Sequence, residues 1–268
     1  MTYDLREEKW IPFRRRSGVV ECGPPWLLTD RLDDDPIVSI AAPRPDFEGT
    51  LLEFLIGLLT VAIYPADEEE WRRLWDAPPS PSQLHVYLMH LPQAFDLLGD
   101  GPRFLQDFNP EDLTGKPVPV ERMLIDAPGK KTEEENKAFF VKRGRVGTVS
   151  PATAAMGLLT LQSYAPPGGS GHNVSLRGGG PLTTLADPGD GATLWSQLWL
   201  NVLPAEEWPS RPSADLRVGA IFPWMQPTRT SDTEQGGRVT TPIDVSPLQS
   251  FFGMPRRIRL EVDDCAAQ

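Results

Sequence analysis

The chemical feature that stands out in the sequence is residues 136–186, a stretch of 51 residues without a single aspartate or glutamate. Acids make up 37 of the 268 residues, so about seven would be expected in a stretch of this length. Basic side chains are nevertheless present in it: Lys137, Lys142, Arg143, Arg145, His172 and Arg177. Carboxylates repel phosphate groups, whereas clustered lysine and arginine attract them. The pattern therefore predicts that residues 136–186 bind nucleic acid.

The first part of this stretch combines aromatic and basic side chains. Phe139 and Phe140 closely precede the basic cluster Lys142, Arg143 and Arg145. An aromatic ring in such a loop can stack against bases while the cations bind the backbone. The alternative is that the two phenylalanines belong to an edge strand and are buried in the core.

The second part of the stretch is rich in glycine. Gly168, Gly169, Ser170 and Gly171 lack side-chain bulk, so their amides can approach a DNA groove or a phosphate closely. The alternative is that the segment is only a flexible connection. Because both parts lie in one acid-free stretch, we predict that both contact DNA.

Catalytic and metal-binding patterns are absent from the sequence. His85 and His90 are five residues apart, so on a helix they diverge and do not share a metal-binding face. No HExxH, paired CxxC, GxSxG or Walker-type pattern occurs. Cys22 and Cys265, the two cysteines, are too few for a zinc site or a disulfide framework. The sequence thus predicts a protein that is not an enzyme and that holds no metal or cofactor.

The charge of the whole chain limits the prediction that residues 136–186 bind nucleic acid. The net charge is −11 and the pI is about 4.8, which argues against a nucleic-acid binder that acts alone. The N-terminus is charged, and the apolar run 51–64 is interrupted by Glu53 and too short to span a bilayer. We therefore expect a cytoplasmic protein that has no membrane partner and acts beside a larger assembly.

The elements that must position these residues are short. Pro and Gly number 29 and 23, so much of the chain must be turns and irregular loops. Apolar spacing predicts helices over 47–63, after Asp67, after Pro81, from Pro151 to about Ser163, and over 191–203. Alternation predicts a hairpin over 9–21 and a final strand over 257–262. The fold class expected is α+β, a mixed, loop-rich globular domain with short antiparallel strands around several buried helices.

Six segments of the sequence together carry a family resemblance. They are Lys9-Trp10-Ile11-Pro12, Ala138-Phe139-Phe140, the glycine loop after Ala165-Pro166, the block LRGGGPLTT at 176–184, the helix with Trp195 and Leu200-Asn201-Val202-Leu203, and FFGMPRRI at 251–258. In these segments the chain resembles the N-terminal domain of the CasA family, the large subunit of the type I-E CRISPR surveillance complex Cascade. LRGGGPLTT is the most specific of the six.

This resemblance implies a non-catalytic subunit that binds the protospacer-adjacent motif of target double-stranded DNA and helps to recruit a helicase-nuclease. Other Cascade subunits and the CRISPR RNA would be its further partners. The position of Phe139 is implicated in docking onto the complex and in non-specific DNA contact, and 168–171 in reading the motif from the minor groove. Ser170 stands where the family pattern has glycine, and Asn173 where it has lysine. The alternative is a scaffold protein that binds other subunits or structural RNA without reading target DNA.

The resemblance also implies a domain organisation. Residues 1–262 correspond to the N-terminal domain of the large subunit, and 263–268 to the start of a linker or zinc-cluster region. The C-terminal helical bundle of the family would be absent from this chain. Cys265 is then a possible first ligand of an incomplete zinc cluster, and zinc is expected only in a longer chain.

Overall fold

A computed structural model describes residues 2–113, 117–139, 141, 144–164, 176, 184–208, 218–230, 232–234 and 236–262. The strands in these residues are β1 (Tyr3–Asp4), β2 (Ile11–Arg15), β3 (Val20–Gly23), β4 (Ile37–Ile40) and β5 (Asp96–Leu98). The helices are α1 (Pro45–Ile63), α2 (Glu68–Asp76), α3 (Pro81–Met89), α4 (Lys130–Glu134), α5 (Pro151–Tyr164), α6 (Leu194–Trp199) and α7 (Val218–Ile221). The predicted α+β class is confirmed.

Two small antiparallel sheets lie beside the helices. One has the order β3-β2-β4, and the other pairs β1 with β5. The predicted N-terminal hairpin is β2 and β3, with Ile11 opposite Gly23 and Arg14 opposite Val20. Its turn contains Gly18 in the left-handed region, at φ 90°, which glycine adopts without steric cost.

The core is built around α1, which is buried along most of its length. Phe54 lies at the centre of an aromatic cluster, with ring centroids 5.6 Å from Trp10 and 5.7 Å from Phe104. On another side α1 packs against α5, where the hydroxyl groups of Thr50 and Thr160 are 2.7 Å apart. Because α5 is packed against α1, its two ends, Pro151 and Tyr164, are held in place relative to the core.

Helix starts agree with the capping signals in the sequence. The Asp67 carboxylate accepts a hydrogen bond from the Glu70 amide at 2.9 Å, and the Ser150 hydroxyl accepts one from the Thr153 amide at 3.2 Å. Both interactions satisfy an amide that the first helical turn leaves unpaired. The predicted starts of α2 and α5 are therefore confirmed.

The predicted strand over 257–262 is wrong, because these residues join no sheet. Side-chain amides take the place of a strand partner, together with the backbone amide of Asp107, which donates to the Ile258 carbonyl at 2.7 Å. The Gln162 amide donates to the Arg256 carbonyl at 2.9 Å and accepts from its amide at 3.0 Å. The Gln106 carbonyl oxygen accepts from the Leu260 amide at 3.0 Å. Buried backbone groups need partners, and here two buried glutamines supply them.

In the described part of the chain, no single helix is long and apolar enough to cross a membrane. The pair α1 and α2 passes the same length and composition test, but the two helices are bent by 118°.

The β1–β5 pair contains an electrostatic conflict that gives a prediction. Asp96 lies opposite Asp4, and its Oδ1 atom is buried without a hydrogen bond. Burial raises the pKa of Asp96, and the charge of Asp4 raises it further. A raised carboxyl pKa means that the folded protein loses stability as the pH rises above the unfolded value. Asp96→Asn is therefore expected to raise the free energy of unfolding at pH 7 by up to about 1 kcal/mol.

Urea unfolding at pH 7 and at pH 3 measures this effect. The gain should shrink at pH 3, where the carboxyl group is protonated in both states. Asp100→Asn, at an exposed acid just beyond β5, is the matched control and should change little. An equal gain at both pH values would contradict the electrostatic explanation.

Candidate nucleic-acid interface

The loop between α4 and α5 begins with a sharp reversal. Asn136 adopts a left-handed conformation, at φ 55°, and the Lys137 amide donates to the Thr132 carbonyl at 2.9 Å. Asparagine is one of the few residues that end a helix this way without glycine. The reversal turns the chain away from α4 just before Phe139.

Phe139 lies on the surface, with 80% of its area exposed. The alternative that it is an edge-strand core residue is therefore wrong for this side chain. A phenylalanine that is exposed to this extent is removed from water only when a partner covers it. It has the accessibility that stacking or docking requires.

The described cations of this loop differ in their partners. Lys137 forms an ion pair with Glu135, with Nζ 2.5 Å from Oε2. Arg145 is exposed and forms no ion pair with any residue in the described ranges. An exposed guanidinium without a carboxylate partner is available to bind phosphate bidentately.

Acids from neighbouring segments nevertheless approach this loop. The Gly144 amide donates to both carboxylate oxygens of Glu121, at 2.9 and 3.1 Å. A cavity of about 240 Å³ is lined by Glu121, Asp126 and Glu133 together with Arg122, Arg145 and several apolar side chains. Arg122 forms an ion pair with Glu133. The stretch 136–186 is acid-free along the chain, but its first loop is not acid-free in space, because the fold places residues 121–133 against it.

Helix α5 is a buried connection between the two predicted contact segments. Most of its residues are buried, including Leu158 and Leu159. Its last residue, Tyr164, donates its hydroxyl to the buried Glu53 carboxylate of α1 at 2.7 Å. A side chain at Gly49 would stand 2.8 Å from that hydroxyl, so only glycine leaves it room. The residue before the glycine-rich segment is thus held against the core.

The far end of the same segment is also held. The Asn201 side chain accepts from the Ala186 amide at 2.7 Å and donates to the Ala186 carbonyl at 2.9 Å. A side-chain amide that pairs with both backbone groups of one residue replaces a strand partner. Our sequence interpretation did not assign this role, nor that of Glu53, although Asn201 lies in one of the segments that carry the family resemblance.

The other predicted contacts lie outside the described residues: Lys142, Arg143, Gly168, Gly169, Ser170, Gly171, Asn173 and Arg177. Phe140 and Cys265 lie outside them as well. Their roles stay predictions. Within the residues that are described, no group of three His, Cys, Asp or Glu side chains is placed to hold a metal ion, and Cys22 is an exposed free thiol.

A family model described as CRISPR-associated protein Cse1 matches residues 4–267. Solved structures similar to the chain include Cse1 from Thermobifida fusca, with 23% identity and a TM-score of 0.66, over 98% of this chain and 49% of that one. CasA (Cse1) from Thermus thermophilus matches with 22% identity and a TM-score of 0.56, over 84% of this chain and 42% of that one.

A chain of a CRISPR RNA-guided surveillance complex is also similar, with 20% identity and a TM-score of 0.52. It is matched over 84% of this chain and 46% of its own length. At these identities the structural likeness shows the fold. The chain spans about half the length of the structures that it matches.

Proposed function

Because the chain belongs to the Cse1 (CasA) family of CRISPR-associated proteins, we propose that it is a non-catalytic DNA-recognition subunit of an RNA-guided surveillance complex. In this proposal it binds the protospacer-adjacent motif of target double-stranded DNA beside the CRISPR RNA and other subunits. It then helps to recruit a helicase-nuclease. In such complexes base pairing reads the target sequence and protein reads the short motif.

The observation that carries the proposal is the pairing of an exposed aromatic with an unpaired cation in one loop. Phe139 is 80% exposed, and Arg145 forms no ion pair within the described residues. Lys142 and Arg143 lie between them in sequence. A ring that stacks and guanidinium groups that bind phosphate are the parts of a sequence-tolerant DNA contact.

The glycine-rich segment would supply the motif contact. We propose that residues 168–171 lie in the minor groove, with Asn173 and Arg177 close by. Glu53 and Asn201 support this assignment, because they hold residues 164 and 186 on either side of the segment. Minor-groove contacts separate A·T from G·C pairs and respond to groove width, so discrimination depends on shape.

The charge of the chain supports action within an assembly. A net charge of −11 opposes binding to free DNA at long range. The local cations take effect when other subunits and the guide RNA hold the duplex nearby. We propose that residues 1–262 form the N-terminal domain of the large subunit, with a zinc cluster that includes Cys265 only in a longer chain.

A second function is favoured by the acids beside the loop. Glu121, Asp126 and Glu133 outnumber Arg122 and Arg145 in a cavity of about 240 Å³ that also has apolar walls. Such a cavity suits a side chain of a protein partner better than a phosphate. In this alternative the loop from Phe139 to Arg145 binds another subunit and does not contact target DNA.

Arg145→Gln tests the two functions in the assembled complex. If Arg145 contacts phosphate, the slope of log affinity for target duplex against log salt should become shallower by about 1. The affinity at 0.15 M salt should fall about fivefold. Duplexes with and without the motif should weaken alike, because a phosphate contact carries no sequence information.

Lys137→Gln is the matched control, since Lys137 lies in the same loop and is already paired with Glu135. Its slope should change by much less. An unchanged slope for Arg145→Gln, together with weaker retention of the subunit by the complex, would favour the scaffold function. A wild-type complex that binds both duplexes equally would contradict motif recognition.

A further inference from the structure

Two half-buried arginines, Arg103 and Arg259, lie where residues 255–262 pack against residues 99–111. Arg103 donates to the carbonyl of Gly99 at 2.8 Å and to that of Leu260 at 3.3 Å. Arg259 donates to the carbonyl of Asp107 at 3.3 Å. Each guanidinium therefore reaches across the contact between the two segments.

Neither guanidinium has a carboxylate partner among the described residues. The buried carboxylate beside them belongs to Asp107, and it is already engaged. It accepts from Nε and Nη2 of Arg257 and, at 3.0 Å, from the Asn109 amide. Arg103 and Arg259, which we call the arginine pair, thus keep their positive charges without an ion-pair partner.

The environment of the pair is unfavourable to its charge. Burial lowers the pKa of Arg259, and the neighbouring charge of Arg103 lowers it further. Asp107 and the exposed Glu111 act in the opposite direction, but less strongly. Two like charges that are partly removed from water repel each other more than they would at the open surface.

The need to supply hydrogen bonds to main-chain carbonyls does not by itself explain why two arginines are present here. A neutral donor such as glutamine can satisfy a main-chain carbonyl, as Gln162 does for Arg256 beside the same contact and Gln106 does for Leu97. It would do so without repulsion between neighbours. Two neighbouring guanidinium groups are instead suited to an anion, because the carbonyls take up Nε and Nη1 of Arg103 and Nη1 of Arg259 and no bond to a described residue takes up Nη2 of either.

We propose that the arginine pair is a second binding site for the phosphodiester backbone of a nucleic acid, separate from residues 136–186. The choice of ligand rests on the proposed function, because a surveillance complex contains both guide RNA and target DNA. The pair belongs to residues 99–111 and 255–262, which the core holds through Gln106 and Gln162. It therefore offers two preplaced cations at little ordering cost.

Arg259→Gln and Arg259→Lys, placed in the assembled complex, test this site. The glutamine variant should make the salt dependence of nucleic-acid binding shallower by about 1, with about fivefold weaker binding at 0.15 M salt. The lysine variant should restore most of the slope. The melting temperature of the glutamine variant should stay equal or rise, because repulsion with Arg103 is removed; a purely structural arginine would lower it.

Two measurements separate the sources of phosphate. Retention of the subunit by a complex that carries guide RNA but no target reports on RNA, and affinity for the target duplex reports on DNA. Arg72→Gln is the control, since it removes one exposed charge that is already paired with Glu68 on α2. If Arg259→Gln matches this control in both measurements, the site does not bind nucleic acid.

The outcome for Arg259→Gln can be distinguished from the outcome of the motif-recognition test. A wild-type complex without motif preference would contradict motif recognition, yet the slope of Arg259→Gln would still decide the site. Conversely, a complex that prefers the motif but ignores Arg259→Gln would contradict only the arginine pair.

Discussion

Asp107→Ala is expected to lower the free energy of unfolding by about 3–5 kcal/mol, the usual effect of removing one partner from a buried ion pair. Asp107 is completely buried, and its carboxylate accepts from Arg257 and from the Asn109 amide. The substitution leaves these donors without that acceptor and opens a small cavity. Urea unfolding followed by tryptophan fluorescence measures the loss.

An exposed pair is the control for this prediction. Asp34 is 79% exposed and pairs with Arg31, so Asp34→Ala should cost less than about 1 kcal/mol. The double variant Asp107→Leu with Arg257→Met should recover much of the loss, because an apolar pair of similar volume often replaces a buried ion pair without cost. An Asp107→Ala loss no larger than that of Asp34→Ala would show that the pair is not important for stability.

The helices could be predicted from sequence because their signals are local. Apolar spacing is a property of the helix's own residues. The caps Asp67 and Ser150 lie within one turn of the helices that they start. The helix predicted over 191–203 is shorter, Leu194–Trp199, because Thr193 caps its start and Leu200 ends it. Boundaries of this kind depend on a few backbone angles, and apolar spacing does not report them.

The partners of residues 255–262 could not be predicted. An alternating apolar pattern predicts an extended segment, and the segment is held along its length by side chains. The Asp107 amide adds a backbone hydrogen bond, which it donates to the Ile258 carbonyl at 2.7 Å. Gln106 and Gln162 are 154 and 94 residues away from the groups that they bind. Nothing in the local sequence of a glutamine indicates that it will pair with a distant backbone.

Only part of the candidate interface could be predicted, because some of its contacts come from residues distant in sequence. The exposure of Phe139 agrees with a loop composition that the sequence displays directly. The approach of Glu121 and Glu133 depends on how a different segment folds back, so the charge pattern along the chain did not reveal it. Charge patterns in sequence therefore indicate which loop to test, and three-dimensional contacts decide which of its cations is available.

Gly57→Ala is expected to lower the free energy of unfolding by about 2 kcal/mol, although alanine favours helices by about 1 kcal/mol over glycine. Gly57 is buried in the middle of α1. A methyl group there would stand 2.6 Å from Cγ of Phe251 and closer still to its Cβ. These atoms lie near the backbone, so the clash is relieved only if α1 and the 3₁₀ turn Pro247–Phe251 move apart.

Gly157→Ala is the matched substitution, in the middle of α5. A methyl group there would meet Met123 at 3.7 Å and Phe47 at 3.9 Å, which is ordinary contact. The free energy of unfolding should therefore rise by about 0.5–1 kcal/mol. Urea unfolding of both variants gives the comparison, and a gain at Gly57 would contradict the close approach. Because the turn Pro247–Phe251 closely precedes residues 255–262, its displacement should also weaken the phosphate binding that we propose for the arginine pair, whereas Gly157→Ala should leave that binding unchanged.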